Sequence, residues 1–162
     1  VPEDIYQSYV DHSRKIGTFG HGFTYGGHPL GCALGVKAIA IYQRRDIIGH
    51  VRSLSPLFEA RMAKLKDHPL VGEVRHCGLM GGVELVADKA TKRAFAGTAA
   101  VGPTCARLCE ESGVILRAIG DTIAFCPPMI ITPDELNELF DRFDIALAKA
   151  EAWVSKENLR AA

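Results

Sequence analysis

The chain lacks net charge: 19 lysines and arginines balance 19 aspartates and glutamates over 162 residues. Nucleic-acid binders rest their affinity on a basic surface, so no such partner is expected. No apolar run approaches the roughly 20 residues of a membrane span, so no membrane role is expected either. The opening VPEDIYQSYV is too polar and acidic for a signal peptide. Cysteine is sparse and odd in number: Cys32, Cys77, Cys105, Cys109 and Cys126. Such a scattered set reads as free thiols in a reducing compartment, which points to the cytoplasm. Cys105 and Cys109 are spaced to share a helix face, but no further ligand stands at zinc-like spacing, so no metal is expected. Repeats and low-complexity segments are missing. What the chain does have is 48% apolar residues, enough for a proper core.

The pattern along the chain predicts an α+β fold. Pro2–Val10 reads as a short helix started by proline, and 11–19 as irregular. Leu30–Arg45, opened by Pro29, is apolar on more than one face, which predicts a buried helix. Asp46 is a candidate cap for a helix from Ile47 to about Lys66, with Pro56 a possible kink. Val71–Arg75 and Val83–Val86 alternate as strands. Residues 103–112 read as a helix stopped by Gly113, 114–117 as a short strand, 118–121 as a turn, and 122–125 as a returning strand. Thr132-Pro133-Asp134-Glu135 has the form of a capping box, starting a helix to about Lys156.

Three places carry chemistry. The stretch GHGFTYGGHP, residues 20–29, packs four glycines, two histidines, two aromatics and one threonine against a helix start. Glycines let backbone N–H groups turn toward an anion, and the helix start adds partial positive charge. Thr24 adds a hydroxyl donor. This fits a phosphate; a plain capped turn is the alternative. Arg117, beside the Gly120-Asp121 turn, suits a carboxylate held by two parallel hydrogen bonds, or is simply solvated. His21 and His28 read as packing or capping residues, and Asp121 as a turn former. Lys15 lies among polar residues, and no lysine has the apolar setting that a Schiff-base nucleophile needs.

These residues resemble a known family. His21-Gly22-Phe23-Thr24-Tyr25-Gly26-Gly27-His28-Pro29 is similar to the loop of class III (omega) aminotransferases, pyridoxal-phosphate enzymes of fold type I. Val71-Gly-Glu-Val-Arg75, Gly78-Leu-Met-Gly-Gly82-Val-Glu-Leu, Gly113-Val-Ile-Leu-Arg117-Ala-Ile-Gly-Asp121 and Phe125-Cys-Pro-Pro128 follow in the family's order. The resemblance covers nearly the whole chain. It implies that residues 1–45 are the tail of the large cofactor-binding domain and 46–162 the small C-terminal domain.

The resemblance also implies roles. Thr24, with the backbone at Phe23, would bind the phosphate of pyridoxal 5'-phosphate belonging to the neighbouring subunit of a homodimer. Arg117 would hold the substrate carboxylate and swing aside for an uncharged substituent, a movement that the Gly120 turn beside it would allow. The partners would be an amine or omega-amino acid and a keto acid such as pyruvate. At Gly26 the chain departs from the small polar residue, often serine, usual in the family. The Schiff-base lysine is not found: in the family it lies a few tens of residues before the threonine, and Lys15 is too close. The chain, which opens at Val1, is therefore expected to be a C-terminal portion, inactive alone and completed by an N-terminal part. Alternatives are a same-family decarboxylase, racemase or aminomutase portion, and a non-catalytic dimerising fragment.

Overall fold

The computed structural model describes residues 1–161. The chain divides into two compact units, Val1–Arg44 and Arg45–Ala162. The first unit holds helices α1 (Glu3–Ile16) and α2 (Pro29–Arg44), joined by the glycine loop. The second holds α3 (Ile47–Leu65), β1 (Val71–Cys77), β2 (Met80–Leu85), α4 (Val101–Glu111), β3 (Arg117–Ile119), β4 (Thr122–Phe125) and α5 (Pro133–Lys156).

The first unit departs from the sequence reading in two ways. Helix α1 runs on to Ile16 and absorbs much of the stretch read as irregular; Gly17, left-handed at φ 75°, ends it. Acidic Glu3 and Asp4 in its first turn and basic Arg14 and Lys15 in its last suit the helix dipole at both ends. Helix α2 forms as expected but is not buried. Leu30, Leu34, Val36 and Ile39 are each more than 60% exposed. Its apolar face is thus a surface without a cover.

The second unit is built on one antiparallel sheet in the order β1-β2-β4-β3. Two hairpins, β1–β2 and β3–β4, are joined through β2 against β4, with Val83 opposite Ile123 and Gly81 opposite Phe125. Each hairpin turns through a glycine of positive φ at the first central position, Gly78 at 59° and Gly120 at 57°, as in type II′ turns. One face of the sheet meets α3 and α5. Phe58, Phe125, Phe140 and Phe143 form a buried aromatic cluster there, with Phe125 and Phe140 stacked at 5.2 Å. Gly81 lies against Met62 and Phe58 of α3, leaving no room for a side chain.

Local signals place the helices. The Asp46 carboxylate accepts the Gly49 N–H at 3.2 Å and caps α3. The Thr132–Glu135 capping box is complete at the start of α5. Helix α3 continues through Pro56 without a break. The strands differ more. β1 and β2 each extend further into the hairpin than their alternation shows, because Gly81 and Gly82 pair in the ladder. The third strand is Arg117–Ile119, not 114–117. Val114 is tied by its N–H to the Cys109 carbonyl at the end of α4, so the segment 114–116 is an approach to the sheet. Cys105 and Cys109 do share a face of α4, both fully buried. The Cys109 sulfur and burial together push the Cys105 thiol up.

Candidate functional site

The glycine loop is ordered by its own aromatics. His21 stands edge-on to Tyr9, Phe19 and Phe23 at 6.3, 6.0 and 5.9 Å, and Tyr25 meets His28 at 6.0 Å. Both histidines therefore serve packing, and the His28 carbonyl accepts the first helical N–H of α2, from Cys32, at 2.9 Å. Two turns follow Phe23: Gly26 N–H donates to the Phe23 carbonyl at 2.8 Å and His28 N–H to the Tyr25 carbonyl at 3.1 Å. A Cβ on Gly26 would stand 3.1 Å from that Phe23 carbonyl, so the glycine eases the turn. Gly27 is left-handed at φ 76°.

Among the described residues, the N–H groups of Thr24 and Gly27 and the Thr24 hydroxyl have no partner within the chain. Phe23 and Tyr25 are about 80% exposed. Helix α2 has no acidic residue in its first turn to neutralise the dipole. Free donors next to a helix start with no acidic first turn suit a doubly charged phosphate.

Arg117 opens β3 and pairs with Ala124 of β4, which in turn faces Gly82 of β2 and then Arg75 of β1. Directly opposed residues share a sheet face, so these four form one row across the face away from the aromatic core. Two arginines end the row and two small residues fill it. The arginines differ in their partners. Arg75 is held by Glu73 at 3.2 Å and Glu84 at 3.1 Å, while Lys92 engages Glu73 at 3.0 Å. Paired with Lys92 and Arg75, the Glu73 carboxyl is held below its ordinary value. Arg117 is exposed and has no carboxylate partner among the described residues. Thr24 and Arg117 lie in different units of the chain.

None of the eight lysines has the desolvated setting of a Schiff-base nucleophile: all are exposed. The family profile of class-III aminotransferases matches residues 4–147. The chain belongs to the class-III aminotransferase family. It is 37% identical over 156 residues to a probable gamma-aminobutyrate transaminase 3, mitochondrial, of Oryza sativa subsp. indica, covering 96% of this chain and 31% of that protein. It is 40% identical to the gamma-aminobutyrate transaminase 1 of the same plant, covering 30% of it. Among solved structures, a transaminase with L-alanine superposes with TM-score 0.82 at 40% identity, over 95% of this chain and 36% of that one. The omega transaminase of Pseudomonas jessenii in complex with PMP gives 0.80 at 37% identity, over 93% and 33%. This class-III chain thus spans about a third of the length of the relatives it matches. No helix of its described residues is long and apolar enough to cross a membrane.

The Gly120 turn beside Arg117 in this class-III chain is fastened on two sides, a tie that sequence reasoning does not reach. The Asp121 carboxylate accepts the Gly102 N–H of α4 at 2.8 Å, and its carbonyl accepts the Leu85 N–H of β2 at 2.9 Å. The only sequence sign was an aspartate after a turn glycine, which says nothing of a partner 19 residues away.

Proposed function

We propose that this chain is the C-terminal portion of a pyridoxal-phosphate-dependent transaminase that moves an amino group from an amine or omega-amino acid to a keto acid such as pyruvate. The observation that carries this reading is the contrast within one sheet row: Arg75 is doubly paired, and Arg117 is presented without a protein carboxylate. An exposed guanidinium so placed is available to a substrate carboxylate, bidentate and planar.

The phosphate loop fits the cofactor. Its unpartnered Thr24 hydroxyl and N–H groups are donors, and nothing acidic in the first turn of α2 opposes an anion. Thr24 and the Phe23 backbone would hold the phosphate, in a homodimer from across the subunit interface. When bound, pyridoxal phosphate supplies the electron sink that makes loss of the substrate α-proton feasible. The chain's own residues anchor and orient. Thr24 would anchor the phosphate of the neighbouring subunit's cofactor, and Arg117 would hold the substrate carboxylate. When the substituent is uncharged, the Arg117 side chain turns out toward water, where its exposure costs little. The proton itself needs a desolvated lysine, which must come from the rest of the protein. The five unpaired cysteines suit a cytoplasmic setting.

The test is Thr24→Ala in the complete enzyme, with cofactor affinity measured by absorbance titration. Loss of a hydrogen bond to a charged group should weaken binding roughly 10- to 100-fold. Unchanged affinity would remove Thr24 from the phosphate site.

A further inference from the structure

We infer that Asp121 is a positioning residue for Arg117, acting through the start of helix α4; this rests on the reading of Arg117 as the carboxylate clamp. Strand β3 is three residues long, lies at the sheet edge and pairs only with β4. A short edge hairpin is weakly fixed by its own ladder. Its turn, however, is held from outside.

Helix α4 starts at Val101 after Ala100, which is left-handed at φ 50° and offers no side-chain cap. Pro103 removes one of the donors that a local cap would serve, and Gly102 N–H is among those that remain. Asp121 takes it at 2.8 Å, so the helix receives its cap from the β3–β4 turn. The carboxylate charge also suits the positive helix start. Gly102 admits this close approach because it lacks a Cβ, which would stand 2.0 Å from the Gly120 carbonyl oxygen. The Asp121 carbonyl meanwhile accepts Leu85 N–H at 2.9 Å. One residue thus ties helix α4, strand β2 and the turn together. Arg117 sits two ladder positions from that knot, opposite Ala124 while Ile119 faces Thr122.

The consequence is directional. Loss of the Asp121 carboxylate frees the hairpin, and the Arg117 guanidinium loses register with a substrate carboxylate. Donors that carry no carboxylate feel this far less. A purely structural role would weaken all donors together.

The experiment compares Asp121→Ala, Asp121→Asn and the double variant Asp121→Ala/Ala100→Asp in the complete enzyme. Each is assayed in the half-reaction with donor alone, using an omega-amino acid and an uncharged benzylic amine, so that the keto acid plays no part. Arg117→Ala is the reference. Asp121→Ala should raise the KM ratio of carboxylate to uncharged donor roughly tenfold, as a small misplacement of a binding group does. Asp121→Asn keeps an acceptor for Gly102 N–H and should restore the ratio. The double variant returns an acceptor and a charge to the helix start but no tie to the hairpin. It should recover melting temperature without recovering the ratio. Recovery of the ratio along with stability would show a stabilising role only and overturn the inference, as would equal KM changes for both donors. An Arg117→Ala enzyme that does not discriminate the donors would instead remove the clamp reading on which the inference stands. In the 162-residue chain itself, Asp121→Ala should move the Gly102 amide NMR resonance, because that N–H loses its acceptor; an unmoved Gly102 amide would also overturn the inference.

Discussion

Gly102→Ala places two physical effects in opposition, and the structure decides between them. Gly102 lies in the first turn of α4, where alanine is the better helix former by about 1 kcal/mol. Propensity alone therefore predicts a stabilised protein. The new Cβ, though, would meet the Gly120 carbonyl oxygen at 2.0 Å and the Asp121 Cα at 2.8 Å. Both are backbone, so no rotamer change relieves the clash. A carbon–oxygen contact settles near 3.3 Å, so the turn must retreat by roughly 1.3 Å. That retreat strains a packed site, at about 1–3 kcal/mol, and breaks the Asp121 cap, at about 1 kcal/mol. After the propensity gain, the net loss is about 2 kcal/mol, or roughly 8 °C in melting temperature for a unit of this size. Circular dichroism melts read this directly. Gly97→Ala is the control, since nothing lies within 4 Å of its Cβ position. A Gly102→Ala protein that melts at or above the wild-type temperature would refute the close approach and the account of the turn built on it.

Three further outcomes follow from other parts of the chain. Phe140→Ala removes a ring held at 5.2 Å from Phe125 and 5.4 Å from Phe58, and should cost about 3–5 kcal/mol in denaturant unfolding. His68 has its pKa lowered from 6.5, chiefly by burial and against the pull of Glu151 and Asp144, with Lys89 and Arg160 adding to the lowering. A depressed folded value means that its contribution is complete above pH 6.5 and is lost as pH falls through the folded value. The melting temperature should therefore drop more between pH 7.5 and 5 in the wild type than in His68→Gln, and equal slopes would contradict the assignment. Hydrogen exchange on the 162-residue chain should show α2, with its uncovered apolar face, exchanging faster than α5, whose Phe140, Phe143 and Ala150 are fully buried; equal protection of the two helices would count against it.

What could be read from the sequence tracks how local each cause is. The Asp46 cap, the Thr132–Glu135 box and the Gly113 stop act within four residues, and each was legible. The loop around Thr24 was legible for the same reason: glycine, threonine and a helix start stand together in ten residues. The position of Arg117 in its strand was not. Val114-Ile115-Leu116 has β-branched character, but the Cys109 carbonyl claims Val114 N–H and delays the strand until Arg117. Helix α2 has the composition of a covered helix yet exposes Leu30, Leu34, Val36 and Ile39, since composition records what a surface is suited to meet and not whether the partner is present. The Asp121–Gly102 tie and the Arg75–Gly82–Ala124–Arg117 row both depend on pairing between distant segments, which periodicity does not carry.

On the proposed function, this chain supplies a phosphate anchor and a carboxylate clamp, and the catalytic lysine comes from the rest of the protein. The most direct measurement is transamination between an omega-amino acid and pyruvate, with pyridoxal phosphate added, by the purified 162-residue chain alone and by the chain joined to its lysine-bearing part. The account predicts no turnover from the first and turnover from the second; turnover by the chain alone would contradict it.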